Sequence, residues 1–455
     1  MLKNVAFWAI LLLPAGLKGQ APLDAPTQIA GKADAYLNAA LAAGKFNGAA
    51  LVAREGRIIL HKAYGWKNVA AKTYNDTSTL FPILSITKSF TAMVMLKLQE
   101  QGKLSLKDKL SKYFPDFPNA DKITLKQLLV HTSGLHNYTE DIGEEDSTLV
   151  NHPLEKTRIL ELIRKPPVHA PGKDLSYNNS GYYLAGMIIE KVTGKPYEQN
   201  VRELIFKPMH MQHSGFDFNN LPADTRATGY QFLNDTVQKP YTFIDSTVGF
   251  SAGAIYSTTG DMYKWTCAIA QRHILSSASW DMALSRQAGV YGTGFQLNKF
   301  FGNAYIKHSG GYPGFASEFI YYPQQDITII LFRNTGNYGE DLWPVAMGIS
   351  CITLGLPYDL WQPRKRVSLP EEMLKKWEGQ YTADKLTISF RVKDQQLFEV
   401  LPNGTELLLL AENNDTFYLE NFNSSVRFAI IDGIETATIH EHGKDLPLKK
   451  AGAGK

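Results

Sequence analysis

The sequence predicts an α/β chain of the α+β kind: an antiparallel sheet flanked by helices, a helical region beside it, and a small all-β domain at the C-terminus. Three observations lead there. Gly48 to Ala53 and Arg57 to Lys62 are short β-prone runs joined by a turn at Arg54-Glu55-Gly56. Ser85 to Gln101 is apolar on nearly every side and free of proline, the pattern of a buried helix. Beyond residue 370 the chain changes to short alternating runs separated by turn residues.

Taken in order, residues 30–44 read as an Ala-rich helix ahead of the hairpin. The Ser85 helix follows, with Gly102 placed to cap its C-terminus. Residues 103–245 read mostly as helices and loops. Gly249-Phe-Ser-Ala-Gly253 reads as a glycine-containing loop or strand, and Ser257-Thr-Thr-Gly-Asp261 as a helix start. His308 to Ser317 and Glu318 to Tyr322 give further extended chain, paired with Ile327 to Phe332 across the turn Pro323 to Asp326. Trp343 to Leu354 returns as a helix. Residues 361–370 look like a linker. Six runs then follow: Leu386–Val392, Leu397–Leu401, Glu406–Leu410, Thr416–Glu420, Val426–Ile431 and Thr436–His440. So many strands in under a hundred residues argue for a small β-barrel or half-barrel.

The first residues look like a cleaved secretory leader. Lys3 precedes the apolar run Val5 to Leu13, then come Pro14 and small residues up to Gly19. That run is too short to span a bilayer, so the expectation is a periplasmic or secreted protein. Formal charge is +3, or +1 without Lys3 and Lys18 (3 − 2). Such a balance gives no electrostatic case for nucleic acid or an anionic membrane. With 44% hydrophobic residues among 455, the chain can bury a large core and divide into two domains. The two cysteines, Cys267 and Cys351, lie in apolar helical contexts and read as small core residues.

Three strings carry chemistry: Ser85-Ile-Thr-Lys88, Tyr177-Asn-Asn179 and His308-Ser-Gly310. An amine one helical turn from a serine can take its proton and make it a nucleophile. A buried lysine does this better, because lost solvation lowers its pKa. Alone, Ser-x-x-Lys is better explained by a helix N-cap and a solvated lysine; the other two strings, in this order, reverse that. His210-Met-Gln-His213 and His440-Glu-His442 lack a third ligand nearby, so no metal is expected, and no cofactor-binding loop is visible. His131 reads as a structural hydrogen-bonding residue, and Asp174 as a turn before an extended Tyr177 segment.

Together, the three strings resemble the penicillin-recognising serine enzymes, in the branch of class C β-lactamases, family VIII esterases and serine D-peptidases. The words around them agree: Phe81-Pro-Ile-Leu-Ser85, Leu128-Leu-Val-His131-Thr-Ser-Gly134, Pro171-Gly172, and His308-Ser-Gly-Gly311-Tyr-Pro-Gly314-Phe. The resemblance implies that Ser85 is the acylated nucleophile and that Lys88 and Tyr177 share proton transfer as a coupled pair. It implies that Asn179 orients the substrate amide and Lys88. His308, Gly310 and Gly311 would line the substrate site, with the backbone N–H groups of Ser85 and Gly311 forming an oxyanion hole. Where β-lactamases of this branch carry a lysine, this chain has His308, which offers no fixed charge near neutrality. That favours an ester or a D-amino-acid peptide or amide over a β-lactam. A β-lactam-hydrolysing enzyme, or a weakly catalytic protein binding penicillin or peptidoglycan fragments, stays open as an alternative. The C-terminal runs are similar in pattern and position to lipocalin-like modules of some serine D-peptidases. The expected organisation is a signal peptide over 1–19, a β-lactamase-like serine hydrolase domain over 20–360 and a lipocalin-like domain over 361–455. The expected partner is a small-molecule or peptide substrate.

Overall fold

The computed structural model describes residues 24–145, 152–233, 238–336, 342–384 and 386–452. The leader-like residues 1–19 lie outside them. Among the described residues no helix is long and apolar enough to cross a membrane. The chain forms two compact units, Asn47–Leu342 and a second made of Met1–Phe46 with Trp343–Lys455.

The helices used below are α1 (Pro26–Ala42), α2 (Thr87–Glu100), α3 (Asn179–Thr193), α4 (Ser246–Gly253), α5 (Thr259–Gln271) and α6 (Trp343–Leu354). Unit Asn47–Leu342 holds an antiparallel sheet of β1 (Gly48–Arg54), β2 (Arg57–Tyr64), β3 (Gln296–Phe300), β4 (Asn303–Tyr312), β5 (Phe315–Tyr322) and β6 (Ile327–Arg333), in the order β2-β1-β6-β5-β4-β3. Every residue of β5 and β6 is buried, which is why these strands read as continuous apolar runs rather than alternating ones. The edge strand β2 carries Arg57, His61 and Lys62 outward, which discourages pairing with another chain. The other edge, β3, was not legible in the sequence: in Gln296-Leu-Asn-Lys-Phe300 the two strongly apolar residues, Leu297 and Phe300, are three apart and show no alternation.

Helix α2 is buried on all sides: Thr87 to Leu96 and Leu98 are inaccessible. Phe90 stacks on Trp265 of α5 at 4.2 Å between ring centroids, a contact worth about 0.5–1.5 kcal/mol beyond its buried area. Gly102 follows the helix at φ +68°, the left-handed stop that glycine allows. Two expectations are corrected here. Gly249–Gly253 is neither loop nor strand but the end of α4, broken at Phe250 (φ 36°, ψ −130°). Tyr177 lies in irregular chain that runs straight into α3, whose N-cap is Asn178, accepting from Gly181 N–H at 3.0 Å.

In the other unit, α1 packs on α6. Gly348 leaves the space that the Tyr36 ring fills, since a Cβ there would stand 2.1 Å from it, and Trp361 Nε1 donates to Tyr36 Oη at 2.8 Å. The C-terminal segment is a closed eight-stranded antiparallel barrel: β7 (Gly379–Ala383), β8 (Leu386–Lys393), β9 (Gln396–Val400), β10 (Glu406–Ala411), β11 (Thr416–Leu419), β12 (Ser424–Ile431), β13 (Ile434–Glu441) and β14 (Lys444–Lys450). The sequence showed six of these. The closing pair was missed because β7 buries only Tyr381 and β14 is charged and contains Pro447, a residue that reads against a strand. Tyr381, Phe390, Phe417 and Phe428 fill the interior with aliphatic side chains.

Two strand acids of this barrel are shielded from water. Burial pushes the Glu399 carboxyl up to about 7, and burial with Glu399 and Asp359 nearby pushes Glu441 up to about 8. A carboxyl raised in the fold stabilises it fully below the unfolded value of 4.5 and progressively less as pH rises to the folded one. Glu399→Gln removes that loss. The unfolding midpoint of E399Q, measured against wild type by calorimetry, therefore gains as pH rises from about 4.5 to about 7 and stays level above.

Candidate active site

The nucleophile turn is set by backbone contacts. Ser85 lies in a 3-10 turn, Leu84–Ile86, that leads into α2, so the regular helix begins two residues later than the sequence suggested. Leu84 is held at φ +52°, a conformation that costs a leucine about 1–3 kcal/mol and needs surrounding structure to persist. That structure is present: Ile83 N–H donates to Ile255 C=O at 2.9 Å, and Ser317 Oγ donates to Ile83 C=O at 2.8 Å. Strand β4 presses directly on the turn at Gly310, where a Cβ would stand 2.6 Å from Ile83 O and Leu84 Cβ. The next residue, Gly311, is exposed, with open space where a side chain would be.

Lys88 is fully buried. Its Nζ lies 3.0 Å from Ser85 Oγ and donates to Ala252 C=O at 2.8 Å. Burial lowers its pKa well below that of a free lysine, which favours the uncharged amine, whose lone pair can accept the Ser85 proton. The Ala252 carbonyl is placed by the break in α4: Thr91 Oγ1 donates to Ser251 C=O at 2.6 Å, and Ser251 Oγ to Tyr182 C=O at 2.9 Å. The chain at Gly294 passes so close to α2 that a Cβ would meet Ala92 Cβ at 2.7 Å.

Tyr177 lies close to Ser85. Burial of its phenol raises its pKa, and the nearby Ser85 opposes this in part; the residue as a whole is 39% exposed. Lys88 Nζ sits 5.0 Å from its ring centroid. His131 lies behind Tyr177, ring centroids 4.4 Å apart. It accepts from Asn178 N–H at Nδ1, 3.0 Å away, which puts the proton of the neutral ring on Nε2. Burial, with Lys88 and His308 close by, keeps its pKa well below the usual value.

Asn179 donates from Nδ2 to Thr139 Oγ1 at 2.9 Å, and its backbone N–H donates to Asn137 Oδ1 at 3.0 Å. Its recorded amide partner is thus Thr139, not Lys88. His308 is buried at 1% exposure, and both of its ring nitrogens are engaged, Nδ1 with Ser309 C=O at 2.8 Å and Nε2 with Tyr291 Oη at 2.5 Å. Burial and the proximity of Lys88 bring its pKa down to about 3, against the Ser309 carbonyl. The sequence reading passed over Tyr291 and Ala252. Ala252 contributes only a carbonyl, which no residue code advertises. Tyr291 had one weak signal, its place in the glycine-containing stretch Gly289-Val-Tyr-Gly-Thr-Gly294.

Among the described residues no group of three His, Cys, Asp or Glu side chains is placed to hold a metal ion. His440 is bonded instead by Asp359 and Asp445. Cys351 is a buried free thiol, whereas Cys267, expected in a core, is only half-buried.

Known proteins are similar to this chain. The Beta-lactamase family model matches residues 33–344. PbpX of Bacillus subtilis (strain 168), named as a penicillin-binding protein, is 33% identical over 293 residues, 64% of this chain and 71% of that protein. The structure of the octameric penicillin-binding protein homologue from Pyrococcus abyssi superposes with a TM-score of 0.65 at 24% identity, covering 92% of this chain and 99% of that one. A D-stereospecific amidohydrolase from Streptomyces superposes with a TM-score of 0.59 at 26% identity, over 67% of this chain and 94% of that one. A serine beside a buried lysine, on a sheet and helices of this topology and with that match across the whole first unit, places the chain in the β-lactamase family of serine hydrolases.

Proposed function

We propose that the protein hydrolyses esters or D-amino-acid peptides and amides through an acyl-enzyme on Ser85. The observation that carries this reading is the buried Lys88 amine 3.0 Å from Ser85 Oγ, with the Tyr177 ring 5.0 Å from that amine. Ser85 Oγ attacks the substrate carbonyl carbon while its proton passes to the Lys88 amine. The carbonyl oxygen becomes an oxyanion, received by the backbone N–H groups of Ser85 and Gly311. Collapse breaks the bond to the leaving group, which takes the proton from the Lys88–Tyr177 pair, and the acyl group stays on Ser85. Water then attacks the acyl carbonyl, giving its proton to the same pair; collapse breaks the bond to Ser85 Oγ, which takes that proton, and the acid is released.

Asn179 and the strand at Gly310 and Gly311 hold the substrate. His308 is neutral and so presents no cation to a β-lactam carboxylate, which supports the ester and amide reading over the β-lactam one. The likeness to a D-stereospecific amidohydrolase points the same way. The leader-like residues 1–19 support export from the cytosol.

Replacing Ser85 by alanine tests the mechanism. Hydrolysis of p-nitrophenyl butyrate by Ser85→Ala falls by at least about 10³-fold relative to wild type; equal rates in both proteins would remove Ser85 from the chemistry. The base has its own signature. Protonating Lys88 abolishes its lone pair, so kcat/KM rises with pH and levels off well below 10.5, the value for a free lysine. Lys88→Met lowers the plateau and erases that limb, as a stopped-flow pH profile would show.

A further inference from the structure

Hydrogen-bond direction fixes the state of His308. A carbonyl oxygen only accepts, so the contact of Nδ1 with Ser309 C=O at 2.8 Å requires the proton on Nδ1. In the neutral ring Nε2 is then a bare acceptor, and the Tyr291 hydroxyl at 2.5 Å donates to it. Both nitrogens are spoken for within the protein. Tyr291 is itself 3% exposed and is wedged edge-on against His131 at 4.5 Å and against His308 at 5.9 Å. The hydroxyl therefore has little freedom to turn away.

We propose that Tyr291 is a specificity-determining residue: by donating to His308 Nε2 it removes the one ring N–H that could receive a substrate carboxylate, and so directs the site to substrates whose leaving group is uncharged. The inference rests on the acyl-enzyme reading above and adds its substrate class. Other groups around His308 act in the same sense. Lys88 on α2 and Lys307 on β4 oppose a charge on the ring, as does the buried His131. Lys307 is paired with Glu318 of β5 at 2.9 Å, and Tyr177 and Tyr182 stand beside Tyr291 as neutral phenols. With Tyr291→Phe the ring keeps its packing and loses the O–H. His308 Nε2 is then no longer held as an acceptor, and the neutral ring can move its proton from Nδ1 to Nε2, giving up the Ser309 carbonyl, and offer that N–H to a substrate carboxylate.

Two ester substrates read this out: o-nitrophenyl butyrate, and its analogue carrying a ring carboxylate meta to the ester oxygen. Wild type prefers the neutral ester. In Tyr291→Phe the ratio of kcat/KM values shifts towards the carboxylated ester by about tenfold, and does so alike at about pH 6 and about pH 8, because the ring stays neutral across that range. An unchanged ratio at both pH values, or a wild type indifferent to the carboxylate, would overturn the proposal; a merely structural loss would slow both esters alike. If the variant fails to fold, nitrogen-15 correlation spectra of wild type decide instead, with the His308 signal identified by its absence in His308→Gln. The Nδ1–H tautomer from about pH 5 to about pH 8 is expected, and an Nε2–H tautomer or imidazolium sinks the idea. Failure of the underlying reading looks different. There, Ser85→Ala keeps its rate on both esters, whatever Tyr291 does.

Discussion

An ammonium group taken out of water loses the hydration that stabilises its charge, and the most direct response is to give up a proton. Lys88 is in that position, on a helix that is itself enclosed, and the surrounding chain is arranged so that the resulting amine has few places to point. One hydrogen goes to the Ala252 carbonyl, which is available only because α4 breaks at Phe250 and turns its last residues towards α2. Ser85 occupies the remaining direction. The break, the tight approach at Gly294 and the sheet contact at Gly310 are thus separate solutions to one problem, keeping a desolvated amine aligned with a hydroxyl.

The same desolvation governs the far wall of the site. His131 and His308 are both buried near Lys88 and both neutral, yet they carry their protons on opposite nitrogens. A backbone N–H writes one tautomer and a backbone C=O the other. Ring stacking alone would not distinguish the two nitrogens, so main-chain geometry decides what these side chains can donate.

Much of this was legible in the sequence because it depends on spacing. Ser85 and Lys88 are one turn apart in any helix, and the apolar run from Phe90 to Leu98 implied the burial that lowers the Lys88 pKa. The sheet was readable where hairpins are short, as at Arg54 to Gly56 and Pro323 to Asp326. What stayed hidden depends on chain crossings. Tyr291 reaches His308 from a loop 17 residues away, Ala252 reaches Lys88 from 164, and neither leaves a periodic trace. Asn179 was expected near Lys88, but its partner is Thr139, 40 residues upstream. Strands β7 and β14 escaped because a closing pair in a barrel can be short or charged: its hydrogen bonds, such as those at Tyr381 and Lys450, come from closure rather than from its own hydrophobicity.

The second unit is assembled from both ends of the chain, with α1 seated on α6 through Tyr36 and Gly348. On a ribosome these ends are far apart in time. Some 300 residues separate Ala42 from Trp343, roughly 15 to 60 s of synthesis at ordinary rates. Until α6 emerges, the Ile29, Ala33, Tyr36, Leu37 and Ala40 side chains of α1 lack the partner they pack on in this unit. A chain cut after Leu342 loses more than its barrel, because the first helix then has no α6 to close against. The two termini are therefore a single folding element, and the last part of the protein made completes the first.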